Sequence, residues 1–210
     1  MDALWIGLVV VAVLAAAGAW VYYGRNRDVV SGVRMLNDGG DVGTALVVYH
    51  PGRSPFHGRV FSGFVDGLVA RGWRAEITTP SVYAPTAVSG YDLLVLGGPI
   101  YGFAPNRPIQ RYLRRLGDLG GQPVATIITA MGAGERSSAI MNRLVRDANG
   151  DLVCSLLLYW MRPNKDDRPV DGAQNRALAV EMATEAARDP AAHPVRTRKR
   201  GRRDAIHRSI

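Results

Sequence analysis

Apolar residues recur along this chain in two alternating rhythms. Residues 44–49 (TALVVY), 92–96 (DLLVL) and 152–159 (LVCSLLLY) are apolar almost throughout. Residues 73–79 and 124–130 have similar length and character. Such runs predict strands buried on both faces of a sheet. Between them lie stretches with helical spacing. In residues 57–71 the apolar positions are Val60, Phe61, Phe64, Val65, Leu68 and Val69, and Gly72 ends the run. Residues 109–116 predict a short helix with a basic outer face, and 137–148 another. Residues 171–188 predict a closing amphipathic helix, with Asp171 as its N-cap. Strand and helix in alternation predict an α/β fold: a doubly wound, five-stranded parallel sheet in the order 2-1-3-4-5, covered on both faces.

A different pattern precedes this domain. Residues 3–23 (ALWIGLVVVAVLAAAGAWVYY) carry no charge. Their length matches the ~20 residues needed to cross a hydrocarbon core of ~30 Å. Trp5 stands near one end, and Trp20, Tyr22 and Tyr23 near the other, as in the aromatic belts of membrane interfaces. A cleaved signal peptide would have a basic leader and a shorter apolar core. The run therefore predicts an N-terminal transmembrane helix. Arg25, Arg27 and Arg34 follow it, which predicts a single-pass protein of the cell membrane with its soluble domain in the cytoplasm. The expected organisation is an anchor at 1–23, a linker at 24–43 with a helical turn around 28–36, the α/β domain at 44–188, and a tail at 189–210.

Composition sharpens this picture. Of 210 residues, 47% are hydrophobic and 21% charged, which excludes a wholly disordered chain. The net charge is +8, but residues 188–210 hold eight Lys/Arg against two Asp, so most of it belongs to the tail. Tail residues 196–208 make anionic lipid a candidate partner. Nucleic acid is disfavoured, because the tail has no aromatic platform or reading helix. A single cysteine, Cys154, rules out an intrachain disulfide and a cysteine cage for a metal. It falls inside the last apolar run and reads as a buried core residue. Histidines are few and scattered, so no metal site is expected.

In a sheet of this order, ligands sit beyond the C-terminal strand ends, where the order reverses. Three loops therefore carry the candidate chemistry. After Tyr49 comes HPGRSP. Here Gly52 permits a tight turn, and the N–H groups of Gly52, Arg53 and Ser54 can form an anion nest at the next helix N-terminus. Arg53 offers a charged fork for a phosphate. After Leu96 comes GGPIYGF, whose glycines allow close approach and whose Tyr101 and Phe103 offer faces for a flat ring. After Ala130 comes MGAGE, again glycine-rich, with Glu135 and Ser137 placed to cap the next helix. No GxGxxG, GxxxxGK[ST] or GxSxG motif occurs. No carboxylate pair or His–carboxylate unit suggests acid–base catalysis, which fits a cofactor that supplies its own chemistry.

The run YDLLVLGGPIYGFAPNRPIQRYL resembles the third-strand region of flavodoxin-like flavin proteins, with their YDxIxxGSPIY pattern. The resemblance covers residues 44–187. It implies non-covalent binding of FMN and transfer of electrons, with a redox partner protein or a quinone as acceptor. The residues at 50–55 take the place of the family's hydroxyl-rich phosphate loop: His50, Gly52, Arg53, Ser54 and Pro55. Pro99, Ile100, Tyr101 and Gly102 match the lining of the flavin ring. Met131, Gly132 and Gly134 match the loop on its other side. His50 and Pro51 depart from the pattern, and Pro51 has no N–H to give. Two alternatives stand beside electron transfer: a dedicated flavin oxidoreductase of the protoporphyrinogen-oxidase type, and a flavin-less module of the same fold acting at the membrane.

Overall fold

The computed structural model describes residues 3–165 and 171–190. The tail at 196–208, with the anionic-lipid contact expected of it, lies outside the described residues. Chain order is α1 (Ala3–Arg25), β1 (Arg34–Leu36), β2 (Gly43–Tyr49), α2 (Pro55–Val69), β3 (Trp73–Thr78), β4 (Leu93–Tyr101), β5 (Ala104–Pro105), α3 (Arg107–Leu116), β6 (Pro123–Ala130), α4 (Glu135–Asp147), β7 (Asp151–Tyr159) and α5 (Gly172–Arg188). The sheet has seven strands rather than the five expected. Its order is β1-β3-β2-β4-β6-β7, and β5 pairs with β4. The five long strands run parallel in the order β3-β2-β4-β6-β7. The two additions, β1 and β5, are short and antiparallel.

Successive residues of each parallel strand feed two separate cores, which is why the runs are apolar at every position. On β2, Ala45 and Val47 join Phe61, Phe64 and Leu68 of α2 and Ala179, Ala183 and Ala186 of α5. Leu46 and Val48 face the other way, onto Ile109 and Tyr112 of α3 and Met141 and Val145 of α4. Cys154 is fully buried in the first core, and burial pushes its thiol pKa up to about 12. Asp171 caps α5, accepting from the N–H groups of Ala173 and Gln174.

Two expectations are corrected. The strand read as 92–96 continues to Tyr101, so Pro99, Ile100 and Tyr101 lie on β4 instead of in a loop. The extension works because Gly97 lets β4 press against β6: a Cβ there would stand 1.8 Å from the Ile127 carbonyl oxygen. The stretch 28–36 has no helical turn, and α1 runs past the expected anchor end to Arg25. Residues 34–36 form β1 on the free edge of β3, with Arg34 opposite Ile77. The pairing covers an edge that would otherwise expose unpaired backbone.

α1 covers the segment expected to span a membrane. Among the described residues no helix is long and apolar enough to do so. The α1 side chains at 5–20 are all exposed.

Candidate functional site

The C-terminal ends of β2, β4 and β6 are neighbours in the sheet, so the loops leaving them rise side by side. His50 follows β2 directly, and its N–H bonds to the Gly97 carbonyl at 3.1 Å. Its imidazole is buried, 3% exposed. Nδ1 accepts the Gly52 N–H at 3.0 Å. Nε2 lies 2.9 Å from the Arg27 carbonyl and so carries the proton. Burial holds the His50 pKa below its usual value, while the Arg27 carbonyl and Asp28 pull the other way.

Gly52 has φ +65°, and a Cβ there would stand 2.6 Å from His57 and 2.9 Å from Pro99. Only glycine fits both the dihedral and the space. Ser54 caps α2, its hydroxyl accepting the Phe56 N–H at 3.3 Å, and Pro55 opens the helix at a position that needs no donor. The Arg53 and Pro55 side chains are exposed.

The second wall of the site is a two-residue hairpin. Ile100 pairs with Pro105 and Tyr101 with Ala104, so Gly102 and Phe103 form the turn. Both have positive φ, +63° and +60°, as a type I′ turn demands. Glycine accepts this freely; an aromatic residue does not. Phe103 is nonetheless there, and 70% exposed. Asn106, fully buried, fastens the hairpin to the fold. Its Nδ2 donates to the Pro99 carbonyl at 3.1 Å, and its Oδ1 accepts the Ile109 N–H at 3.1 Å, capping α3.

The third wall leaves β6 next to β4, with Pro99 opposite Thr129 as their last pair. Met131 and Gly132 are exposed, whereas Gly134 is buried against Leu157. The segment after β7 follows this loop, with the Trp160 and Met161 N–H groups bonded to the Ala130 and Met131 carbonyls. Glu135 accepts the Gly134 N–H and the Tyr159 hydroxyl and pairs with Arg162. Backbone N–H bonds, then Tyr159 and Arg162, hold its pKa at about 2. Ser137, expected as a cap, is buried with its hydroxyl unpartnered.

Two participants escape sequence reasoning. His57, on the first turn of α2, has Nδ1 2.7 Å from the Thr129 hydroxyl. Burial, and secondarily the nearby His50, push its pKa down to about 4, so the ring is neutral at physiological pH. The other is the strap at residues 26–31, which crosses the C-terminal edge of the sheet. Asn26 accepts the Arg107 N–H at 2.8 Å, and Asp28 pairs with Arg111 of α3. Arg27 holds His50 through its carbonyl. Ser31 closes the strap on β3, its N–H donating to the Thr79 hydroxyl at 3.0 Å and its own hydroxyl accepting the Thr79 N–H. Arg107 also stacks over the Tyr23 ring, tying the end of α1 to the same edge. A cavity of about 560 Å³ lined by Thr86, Val88, Leu119 and Gln122 lies at the opposite edge, away from these loops.

No protein-family model matches the chain, and no curated protein matches it in sequence. Solved structures do. A flavodoxin from the domain Archaea superposes with TM-score 0.56 at 12% identity, covering 71% of this chain and 96% of its own. The azoreductase AzrA gives 0.53 at 12% identity, covering 69% and 99%. An NAD(P)H:quinone oxidoreductase from Methanothermobacter marburgensis gives 0.52 at 14% identity, covering 71% and 99%. The fold is thus flavodoxin-like.

Proposed function

We propose that this protein is a membrane-tethered flavoprotein that binds FMN non-covalently at the C-terminal edge of the sheet and passes electrons to an acceptor, a quinone fitting best. The observation that carries the reading is the convergence of three loops at the β2/β4 switch point, with the strained Phe103 hairpin beside the open Met131–Gly132 turn. Strain kept at an exposed aromatic is a mark of function. The solved structures of like fold include an azoreductase and an NAD(P)H:quinone oxidoreductase, which favours redox chemistry.

The residues fit the cofactor unevenly, and the unevenness assigns their roles. The hairpin 99–105 and the turn at Met131–Gly132 would take the two sides of the ring. Gly102 and Gly132 leave room for close approach, and Tyr101, Phe103 and Met131 supply apolar contact. The phosphate would sit at the α2 N-terminus, held by the Arg53 and Ser54 N–H groups and the Arg53 guanidinium. Gly52 cannot serve, because its N–H is given to His50, and Pro51 and Pro55 have none. FMN, when bound, supplies the redox chemistry. The chain's own part is to orient the ring and to keep the buried His50 and His57 neutral at this edge of the sheet.

The tether is α1. α1 is 23 residues of helix, about 34 Å at ~1.5 Å per residue, uncharged up to Arg25, and its side chains at 5–20 are exposed. Arg25, Arg27 and Arg34 favour a cytoplasmic domain. A second reading, a flavin-less module, is favoured by the spent Gly52 N–H. Titrating FMN into the full chain in detergent separates the two. Quenching of FMN fluorescence to one equivalent, stronger than for riboflavin, supports the flavoprotein. Folded protein that leaves both flavins unquenched establishes the module.

A further inference from the structure

Outside α1, five of the ten exposed large apolar side chains among the described residues stand together at one edge of the molecule. Val29 and Val30 lie on the strap, and Tyr83 follows β3. Phe103 tips the β4 hairpin, Met131 follows β6, and Met161 follows β7. Phe103, Met131 and Met161 follow parallel strands and so stand at the C-terminal edge of the sheet, and Val29 and Val30 join them on the strap that crosses it. Val33, Met35, Val82, Tyr83 and Val42, the last at the opposite end, make up the rest. A monomer that scatters its apolar surface needs no explanation; one that collects it in one place marks a contact surface.

Charge follows the same division. Arg27, Arg53 and Arg107 are exposed at this edge. Among the described residues the carboxylates there are engaged: Asp28 by Arg111, Glu135 by Arg162 and Tyr159, Asp171 by the α5 N-terminus. The edge is therefore apolar and net basic, the combination that binds an anionic bilayer surface. It is also the edge from which α1 departs, held there by the Arg107–Tyr23 stack and the Asn26–Arg107 bond.

We infer that the C-terminal edge of the sheet docks flat on the anionic bilayer surface, with Phe103 and Met161 dipping into the headgroup boundary. The strap fixes the domain in that pose, instead of letting it swing on a flexible linker. This rests on α1 being a membrane anchor, and it places the mouth of the candidate site at the lipid interface, where a lipid-soluble acceptor is concentrated.

The test uses the full chain in nanodiscs containing phosphatidylglycerol. Cys154 is buried and its thiol pKa is raised, so introduced cysteines can be labelled selectively. Phe103→Cys, Met161→Cys and, at the opposite edge, Val42→Cys each carry an environment-sensitive fluorophore. Lipids with a spin label near the headgroup should quench the labels at 103 and 161 at least twofold more than the label at 42. Two edge positions guard against one substitution disturbing the turn. Equal quenching at all three sites, in protein that resists carbonate extraction from vesicles of the same lipid, overturns the docking and leaves the anchor standing. Protein extracted from the vesicles by carbonate overturns the anchor and the docking together.

Discussion

The imidazole of His50 bridges the loop after β2 to the backbone of Arg27, twenty-three residues earlier in the chain. One ring nitrogen receives the Gly52 N–H and the other gives its proton to the Arg27 carbonyl. The Gly52 bond needs the neutral ring, because a proton on Nδ1 would face the Gly52 N–H donor to donor, whereas Nε2 donates to the Arg27 carbonyl in either charge state. The candidate phosphate loop and the strap are thus joined through one side chain whose charge state is fixed by the fold.

The neighbouring His57 should make stability depend on pH. Its folded pKa is about 4 against an ordinary value of 6.5. The unfolded chain therefore binds the extra proton first, so stability is full above pH 6.5 and falls as pH drops towards 4. At ~1.36 kcal/mol per pH unit the loss reaches about 3 kcal/mol. His50 shifts the same way. Urea unfolding of wild type and His57→Gln at pH 7.5 and 4.5 checks this. Wild type should lose about 2–3 kcal/mol more than the variant over that interval. Parallel profiles would show that burial does not perturb His57.

Within the strap, a neutral hydrogen bond should outweigh the ion pair. Asn26 is buried and is the partner of the Arg107 N–H, so Asn26→Ala leaves that donor without its bond and costs about 1–3 kcal/mol. Asp28 and Arg111 are each about half exposed, so Asp28→Ala costs under ~1 kcal/mol. Hydrogen exchange read by mass spectrometry should show residues 26–31 losing protection in the first variant and keeping it in the second. Equal loss in both would reverse the ranking.

The strap also marks where sequence reasoning stops. The five parallel strands are legible because burial on two faces demands unbroken apolar runs, and their C-terminal loops are legible because glycine, proline and aromatics crowd them. Residues 26–31 have no such pattern. They are held by pairings with residues 23, 48, 81 and 83 positions away, and polar contacts at that range leave no local periodicity. β1 is illegible for a similar reason: three residues become a strand because β3 offers them an edge. His57 sits in a helix whose apolar spacing is complete without it, so nothing in its neighbours announces that its ring turns towards Thr129.

Asn106 should prove the most sensitive polar residue of the site. Alanine there removes the α3 cap, worth about 1 kcal/mol, and frees the buried Pro99 carbonyl, worth about 1–3 kcal/mol more. Urea unfolding of Asn106→Ala should show a loss of about 2–4 kcal/mol. In protein that remains folded, the loosened 99–105 hairpin should bind FMN at least tenfold more weakly. Asn106→Asp keeps the cap oxygen but turns a buried carboxylate oxygen on the Pro99 carbonyl, so it should recover neither the stability nor the FMN affinity. Recovery of both would mean that the Pro99 bond plays no part in positioning the ring.

Phe103 offers the opposite trade. Its φ of +60° costs an L-residue about 1–2 kcal/mol, and its exposed ring returns little of that in the free protein. Phe103→Gly should therefore raise stability by up to about 1 kcal/mol, less than the strain removed because glycine also loosens the unfolded chain. The same change deletes an apolar face from the ring platform, so FMN affinity should fall while stability rises. Phe103→Asn separates the two effects. Asparagine tolerates the left-handed conformation but offers no aromatic face, so it should match glycine in binding and fall between phenylalanine and glycine in stability. Unfolding curves and FMN titrations on the three proteins decide the matter. If affinity were unchanged in both variants, the strain at Phe103 would have to serve some contact other than the flavin, and the bilayer surface at the same edge would be the one left to account for it.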